Sequence, residues 1–213
     1  PLTFIYRPDE IVEDDSKTSN HKWFDQKIVY LYLIFILITS IGLMMIGLSY
    51  QLGVTYYSFD ETMITLSISI FALLNGLSRP IFGYFTDRMG IFKSAMISFF
   101  LIILAAILSL INQGESMVLF ILSYGLFWFN LGAWLSMMPQ VIRIFYDKKI
   151  YAKLYGVLFT SYGIGAILSN LLSGTIIDIF KNTNYIYLSI MMIVLISYGL
   201  LLKLKYIYKK EIL

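Results

Sequence analysis

Residues 62–90 read TMITLSISIFALLNGLSRPIFGYFTDRMG, and this stretch decides the fold. Residues 62–86 hold one charge, Arg79, before Asp87-Arg88 stops the apolar run. A helix rising 1.5 Å per residue needs about 20 mostly apolar residues to cross a hydrocarbon core about 30 Å thick. This run is long enough, and Asp60-Glu61 marks its other end. Outward from it, five further stretches qualify, near 28–50, 91–111, 117–145, 152–180 and 185–204. Polar punctuation separates them: Asn112-Gln113-Gly114-Glu115, Asp147-Lys148-Lys149 and Lys181-Asn182-Thr183-Asn184. Transmembrane strands would need segments of about 10 residues in strict alternation, which these runs lack. The expectation is an all-α polytopic membrane protein with six transmembrane helices.

Composition agrees. The chain is 59% hydrophobic and 14% charged, against about 45–50% and about 25% in soluble domains. That balance excludes disorder and an ordinary soluble enzyme, and a net charge of +3 excludes a nucleic-acid partner. With no Cys there is no disulfide framework, thiol nucleophile or thiolate metal site. No cofactor and no metal are expected. A membrane-embedded enzyme finds little support: the single His, His21, lies in a polar stretch, and no acidic pair occupies a helix core.

Orientation follows from where Lys and Arg fall. Fourteen of the sixteen lie at one set of helix ends: Arg7, Lys17, Lys22 and Lys27; Arg88 and Lys93; Arg143, Lys148, Lys149 and Lys153; and Lys203, Lys205, Lys209 and Lys210. Lys181 stands alone at the other set. Both termini are therefore expected in the cytoplasm, in a plasma or organelle membrane whose lipid surrounds the helices. Residues 1–27 are polar and acidic in the middle, without a signal-peptide pattern, and read as a cytoplasmic tail. Residues 28–205 form the membrane domain, and 206–213 a short cytoplasmic C-terminal tail. The sequence opens on Pro1, so a fragment is expected.

Arg79 is the most informative residue. It precedes Asp87 by eight positions, which puts it about 12 Å inside the helix end. An Arg near a membrane centre costs at least about 2.5–3.5 kcal/mol, so it should face the bundle interior, water or an anion. Ala72, Asn75, Gly76 and Gly83 share its helical face and are small or polar, whereas Leu74, Ile81 and Phe85 point away. Pro80 removes a backbone donor and permits a kink. The competing reading is an Arg snorkelling to the headgroups. No acidic residue lies in a helix interior as an obvious partner; Asp178 is near the far end of helix five.

Helix five repeats Ser161, Gly165, Ser169 and Ser173 every four residues, a stripe that favours close helix packing. Tyr162 and Asn170 lie beside it. Helix four carries Trp128, Asn130 and Trp134, whose aromatics are expected at lipid or interfacial positions. The loop after helix two reads Gly83-Tyr84-Phe85-Thr86-Asp87-Arg88-Met89-Gly90. Its acid can bridge to a neighbouring helix, and Gly90 permits the tight turn.

This loop resembles the signature cytoplasmic loop of the major facilitator superfamily. Asn75-Gly76-Leu77-Ser78-Arg79-Pro80-Ile81-Phe82-Gly83 leading into Asp87-Arg88-Met89-Gly90 is similar to the second-half copy in the oxalate/formate antiporter (monocarboxylate transporter-like) family. Tyr155-Gly156-Val157-Leu158-Phe159-Thr160-Ser161-Tyr162-Gly163 and Met138-Pro139 are further matches in register. The resemblance implies one six-helix half of a twelve-helix fold, here the C-terminal half, whose partner is an N-terminal six-helix half. It implies substrate binding near the midplane and alternating access. The implied activity is secondary transport of small organic anions, monocarboxylates above all, by proton symport or anion exchange. Arg79 would bind the carboxylate, with Asn75 and Tyr162 as polar contacts and Gly83, Asp87, Arg88 and Gly90 as the conformational latch. Tyr162 falls where oxalate-carrying members have a lysine; Leu131, Leu135 and Phe159 fall at their cavity aromatics. One cation in place of two points to a monocarboxylate. The alternatives are a facilitator of another small solute, since fold does not fix function, and a non-transporting membrane subunit.

Overall fold

The computed structural model describes residues 25–212. Six long helices fill this range: α1 (Gln26–Tyr50), α2 (Glu61–Met89), α3 (Ile91–Asn112), α4 (Met117–Phe145), α5 (Tyr151–Phe180) and α6 (Asn184–Ile212). All six contain a window long and apolar enough to cross a membrane. Of the tail expected over residues 1–27, residues 1–24 lie outside the described residues, as does His21.

The expected spans match the helices closely, with two departures. A π-helical segment, Gln51–Tyr56, extends α1 beyond the expected end. At the other end of the chain, residues 206–212 continue α6 and do not leave it as a separate tail. Lysine is a good helix former, so a cluster of lysines ends the apolar run without ending the helix. Pro80 and Pro139 lie within α2 and α4, which run on through them.

Side chains set the helix starts. Asp25 accepts from the Ile28 amide at 3.0 Å, Asp60 from Met63 at 3.0 Å and Ser116 from Leu119 at 3.4 Å. Each satisfies an amide that the first helical turn leaves open. Between α2 and α3 the chain turns on Gly90, whose φ of 82° lies in the left-handed region.

α2 packs chiefly on α4, and α1 on α5. Both pairs approach closely through small residues. A Cβ at Gly132 of α4 would collide with the Asn75 carbonyl and the Ser78 hydroxyl of α2. One at Gly165 of α5 would collide with the Thr39 hydroxyl of α1. Ser161, Gly165, Ser169 and Ser173 are all buried, so the four-residue stripe is a packing surface.

The aromatics of α4 turn inward, contrary to the lipid-facing expectation. Trp134 is buried and donates from Nε1 to the Ser98 hydroxyl at 2.7 Å. Ser98 donates to Asn130 Oδ1 at 2.6 Å, and Asn130 Nδ2 donates to the Leu126 carbonyl at 2.8 Å. Trp128 Nε1 reaches the Ser49 hydroxyl at 3.0 Å. Buried indole N–H groups need such acceptors. At the end of the bundle opposite Asp87, the Tyr187 hydroxyl lies 2.8 Å from that of Tyr57 and 2.9 Å from that of Tyr124. The rings of Phe59 and Phe120 pack around Tyr57.

Candidate functional site

α1 and α4 are the most buried helices, and α2 and α5 the least. The exposed surface of α2 divides into two stripes. Met63, Leu66, Ile70, Leu73 and Leu77 follow one another at three- and four-residue spacing and are exposed and apolar. Beside them run Thr65, Ser69, Ala72, Gly76 and Arg79, also exposed but small or polar. Arg79 thus stands on the face of α2 that is poorly suited to hydrocarbon.

From there it enters a pocket of about 340 Å³ between α2, α4 and α5, lined by Arg79, Leu135, Tyr155, Phe159 and Tyr162. Among the described residues no carboxylate lies within ion-pair distance of Arg79, and its guanidinium has no hydrogen-bond partner. An Arg presents five N–H donors in a planar fork that matches a carboxylate. Open donors in a shared pocket are the chemistry of anion binding.

The structure brings together Arg79 and Tyr162 of the three expected binding residues. Asn75 is placed elsewhere. Its Nδ2 donates to the Trp128 carbonyl at 2.8 Å, so it ties α2 to α4 and does not line the pocket. Of the positions implied as cavity aromatics, Leu135 and Phe159 line the pocket, while Leu131 is buried against Gly42 of α1.

Tyr155 is a lining residue that the sequence reading did not single out as a contact, although its spacing to Phe159 was legible. It belongs to a ladder along α5. Tyr151 and Tyr155 have centroids 6.0 Å apart with planes 5° from parallel. Tyr155 and Phe159 follow at 5.8 Å, and Phe159 and Tyr162 at 5.8 Å and 9°. Tyr151 also lines a second pocket, of about 540 Å³, with Ser136, Pro139, Gln140, Arg143 and Lys148. The ladder therefore runs from the lysine-rich helix ends to Arg79.

The loop after α2 has a partner that the sequence did not reveal. Asp87 pairs with Arg143 in the last turn of α4 at 3.4 Å, with both side chains well exposed. Arg88 does not share that contact; it lies over the Tyr84 ring, 5.5 Å from the centroid. The Gly83 carbonyl accepts from Gln140 Nε2 at 3.3 Å, and Gly90 makes the turn. A hydrogen bond and an ion pair thus join this end of α2 to α4.

Comparison with curated proteins finds no match for the sequence. A protein-family model described as Major Facilitator Superfamily matches residues 28–211, nearly the whole of the helical bundle. Six membrane-crossing helices without strands among the described residues are consistent with one half of that fold. The chain belongs to the Major Facilitator Superfamily.

Proposed function

We propose that this chain is the C-terminal half of a secondary transporter for small organic anions, monocarboxylates above all, that works by alternating access. One observation carries the reading: Arg79 opens its guanidinium, free of any carboxylate among the described residues, into a pocket shared with Tyr162. Arg79 holds the carboxylate, and Tyr162 offers a hydroxyl beside it. Asp87 and Arg143 form the latch at the cytoplasmic end, with Gly83, Arg88 and Gly90 shaping that corner. A proton or a counter-anion completes the cycle.

The N-terminal half is the partner this reading requires. In its favour, α2 and α5 present small residues outward. A Cβ at Gly76, Gly156, Gly163 or Gly174 would meet nothing within 4 Å. Small outward faces on membrane helices suit close approach by another bundle. The chain that leads into the Asp25 cap of α1 is then the end of a central cytoplasmic loop, two residues shorter than the expected tail because Gln26 and Lys27 already belong to the helix, and both termini are cytoplasmic. Cysteines introduced at Ser116 and Asn182 should label from outside intact cells while one at Ser16 stays protected; the reverse pattern refutes the orientation.

The deciding experiment is uptake of labelled lactate and formate by cells expressing the complete protein that carries this sequence. Arg79→Lys keeps the charge but loses the planar fork, so uptake should fall while expression persists. Arg79→Gln should abolish it. Tyr162→Lys supplies a second cation and should increase competition by oxalate. Wild-type uptake by Arg79→Gln would make Arg79 a snorkelling anchor and defeat the proposal.

A further inference from the structure

We infer that an anionic phospholipid binds at the lysine-rich end of the bundle, in the seam where α3 and α6 meet. The two helices run antiparallel and touch through rings. Phe92, in the first turn of α3, lies 5.9 Å from Tyr208 near the end of α6, and Tyr208 also stacks on Phe145 of α4 at 4.4 Å. Farther into the span, Phe99 meets Tyr198 at 6.5 Å. Each residue turns a helix by about 100°, and in an antiparallel pair the residues that follow a contact turn to the same side. Lys93 and Lys209 directly follow Phe92 and Tyr208, so they share one outer face of the pair, with Lys205 one turn before Lys209. All three are exposed, and among the described residues no carboxylate lies within ion-pair distance of them. Lys203 does not join them; it lies over the Tyr30 ring of α1.

The surface that continues from these lysines suits hydrocarbon. On α3, Met96, Phe100, Ile107 and Ile111 lead on from Lys93 at helical spacing. On α6, Leu202, Leu195, Met192 and Leu188 lead back from Lys209 in the same way, and all of these side chains are exposed. Tyr206 is 69% exposed beside the lysines, the place of an aromatic at a membrane–water interface. Gly199 interrupts the α6 row, and a Cβ there would meet nothing within 4 Å, which leaves a notch for an acyl chain. This face differs from the Arg79 stripe of α2, whose outward residues are small or polar. A free phosphate would engage the lysines and gain nothing from the apolar rows, whereas a phospholipid uses both. A lysine close to the headgroups strengthens attraction to anionic lipid about fivefold, equivalent to about 1 kcal/mol.

The test titrates the purified complete protein, in neutral detergent, with dioleoylphosphatidylglycerol or dioleoylphosphatidylcholine and follows its melting temperature. Phosphatidylglycerol should stabilise at a concentration at least about thirtyfold below phosphatidylcholine. Lys93→Gln and Lys209→Gln, made singly, should each lower that ratio about fivefold, and Lys93→Arg and Lys209→Arg should keep it. Lys149→Gln and Lys203→Gln remove a cation from the same end of the bundle but not from this seam, and should leave the ratio unchanged. An equal fall in those two controls makes the attraction a property of the whole charged end and overturns the site. An unchanged ratio in both Lys93→Gln and Lys209→Gln overturns it as well, as does a wild-type protein that does not distinguish the two lipids. Displacement of phosphatidylglycerol by inorganic phosphate at matched ionic strength overturns the phospholipid as the ligand.

Discussion

Two sets of polar groups lie near the middle of their spans, and they are handled in opposite ways. Ser98, Asn130 and Trp134 are buried and close on one another: the indole donates to the serine, the serine to the amide, and the amide to a backbone carbonyl. Arg79 is exposed to a pocket and closes on nothing among the described residues. In a solvent that cannot hydrogen-bond, a closed network holds helices together, whereas an open cation demands a ligand or water. The first set belongs to the architecture of the bundle and the second to the anion site proposed above.

The contrast can be broken most severely at Arg79. Arg79→Gln should lower carboxylate uptake by about a hundredfold, since losing a buried charge partner costs about 2–5 kcal/mol. The melting temperature of the purified complete protein should hardly change. A large fall in that temperature would return Arg79 to the architecture. Next in size is Gly132→Leu, where the new side chain meets the Asn75 carbonyl and the Ser78 hydroxyl. Overpacking of this kind costs about 1–3 kcal/mol or more, so the folded yield in detergent should drop, whereas Gly163→Ala should leave it intact.

Ser98→Ala sharpens the comparison from the other side. It removes both links of Ser98 and should cost about 1–2 kcal/mol of stability. Uptake per folded molecule should keep its wild-type apparent affinity; a changed affinity would join the network to the site. The smallest effect is expected at Asp87→Asn. An exposed pair contributes no more than about 1 kcal/mol, so thermal stability should stay nearly constant in a melting assay. The balance between inward- and outward-facing states, read by cysteine accessibility, should move instead.

The sequence was most legible where charge interrupts hydrophobicity. The span expected at 117–145 coincides with α4, Asp60 and Gly90 cap α2, and Asp87 lies in its last turn. Arg79 and Tyr162 were recognisable because intramembrane polarity is expensive. The partners were not. Asn75 shares a helical face with Arg79, yet its amide turns to Trp128, because helical period fixes a direction and not the neighbour met there. Trp134 was read outward for a related reason. In lipid, both the buried and the exposed faces of a helix are apolar, so the periodicity that separates inside from outside in water is weak. Arg143 was visible only as one of many cations; its pairing with Asp87 spans 56 residues of chain.

The tyrosine cluster at the far end of the bundle has a consequence of connectivity. Tyr57 follows the π-helical segment, Tyr124 belongs to α4 and Tyr187 to α6, and both outer hydroxyls meet the same oxygen. A phenol has one proton to give, so Tyr187 can donate to only one neighbour and must accept from the other if both links exist. Three distant parts of the chain therefore converge on a single atom with a fixed rule for sharing hydrogens. Removing either outer hydroxyl cuts one link and spares the other, whereas removing the middle one severs the whole junction.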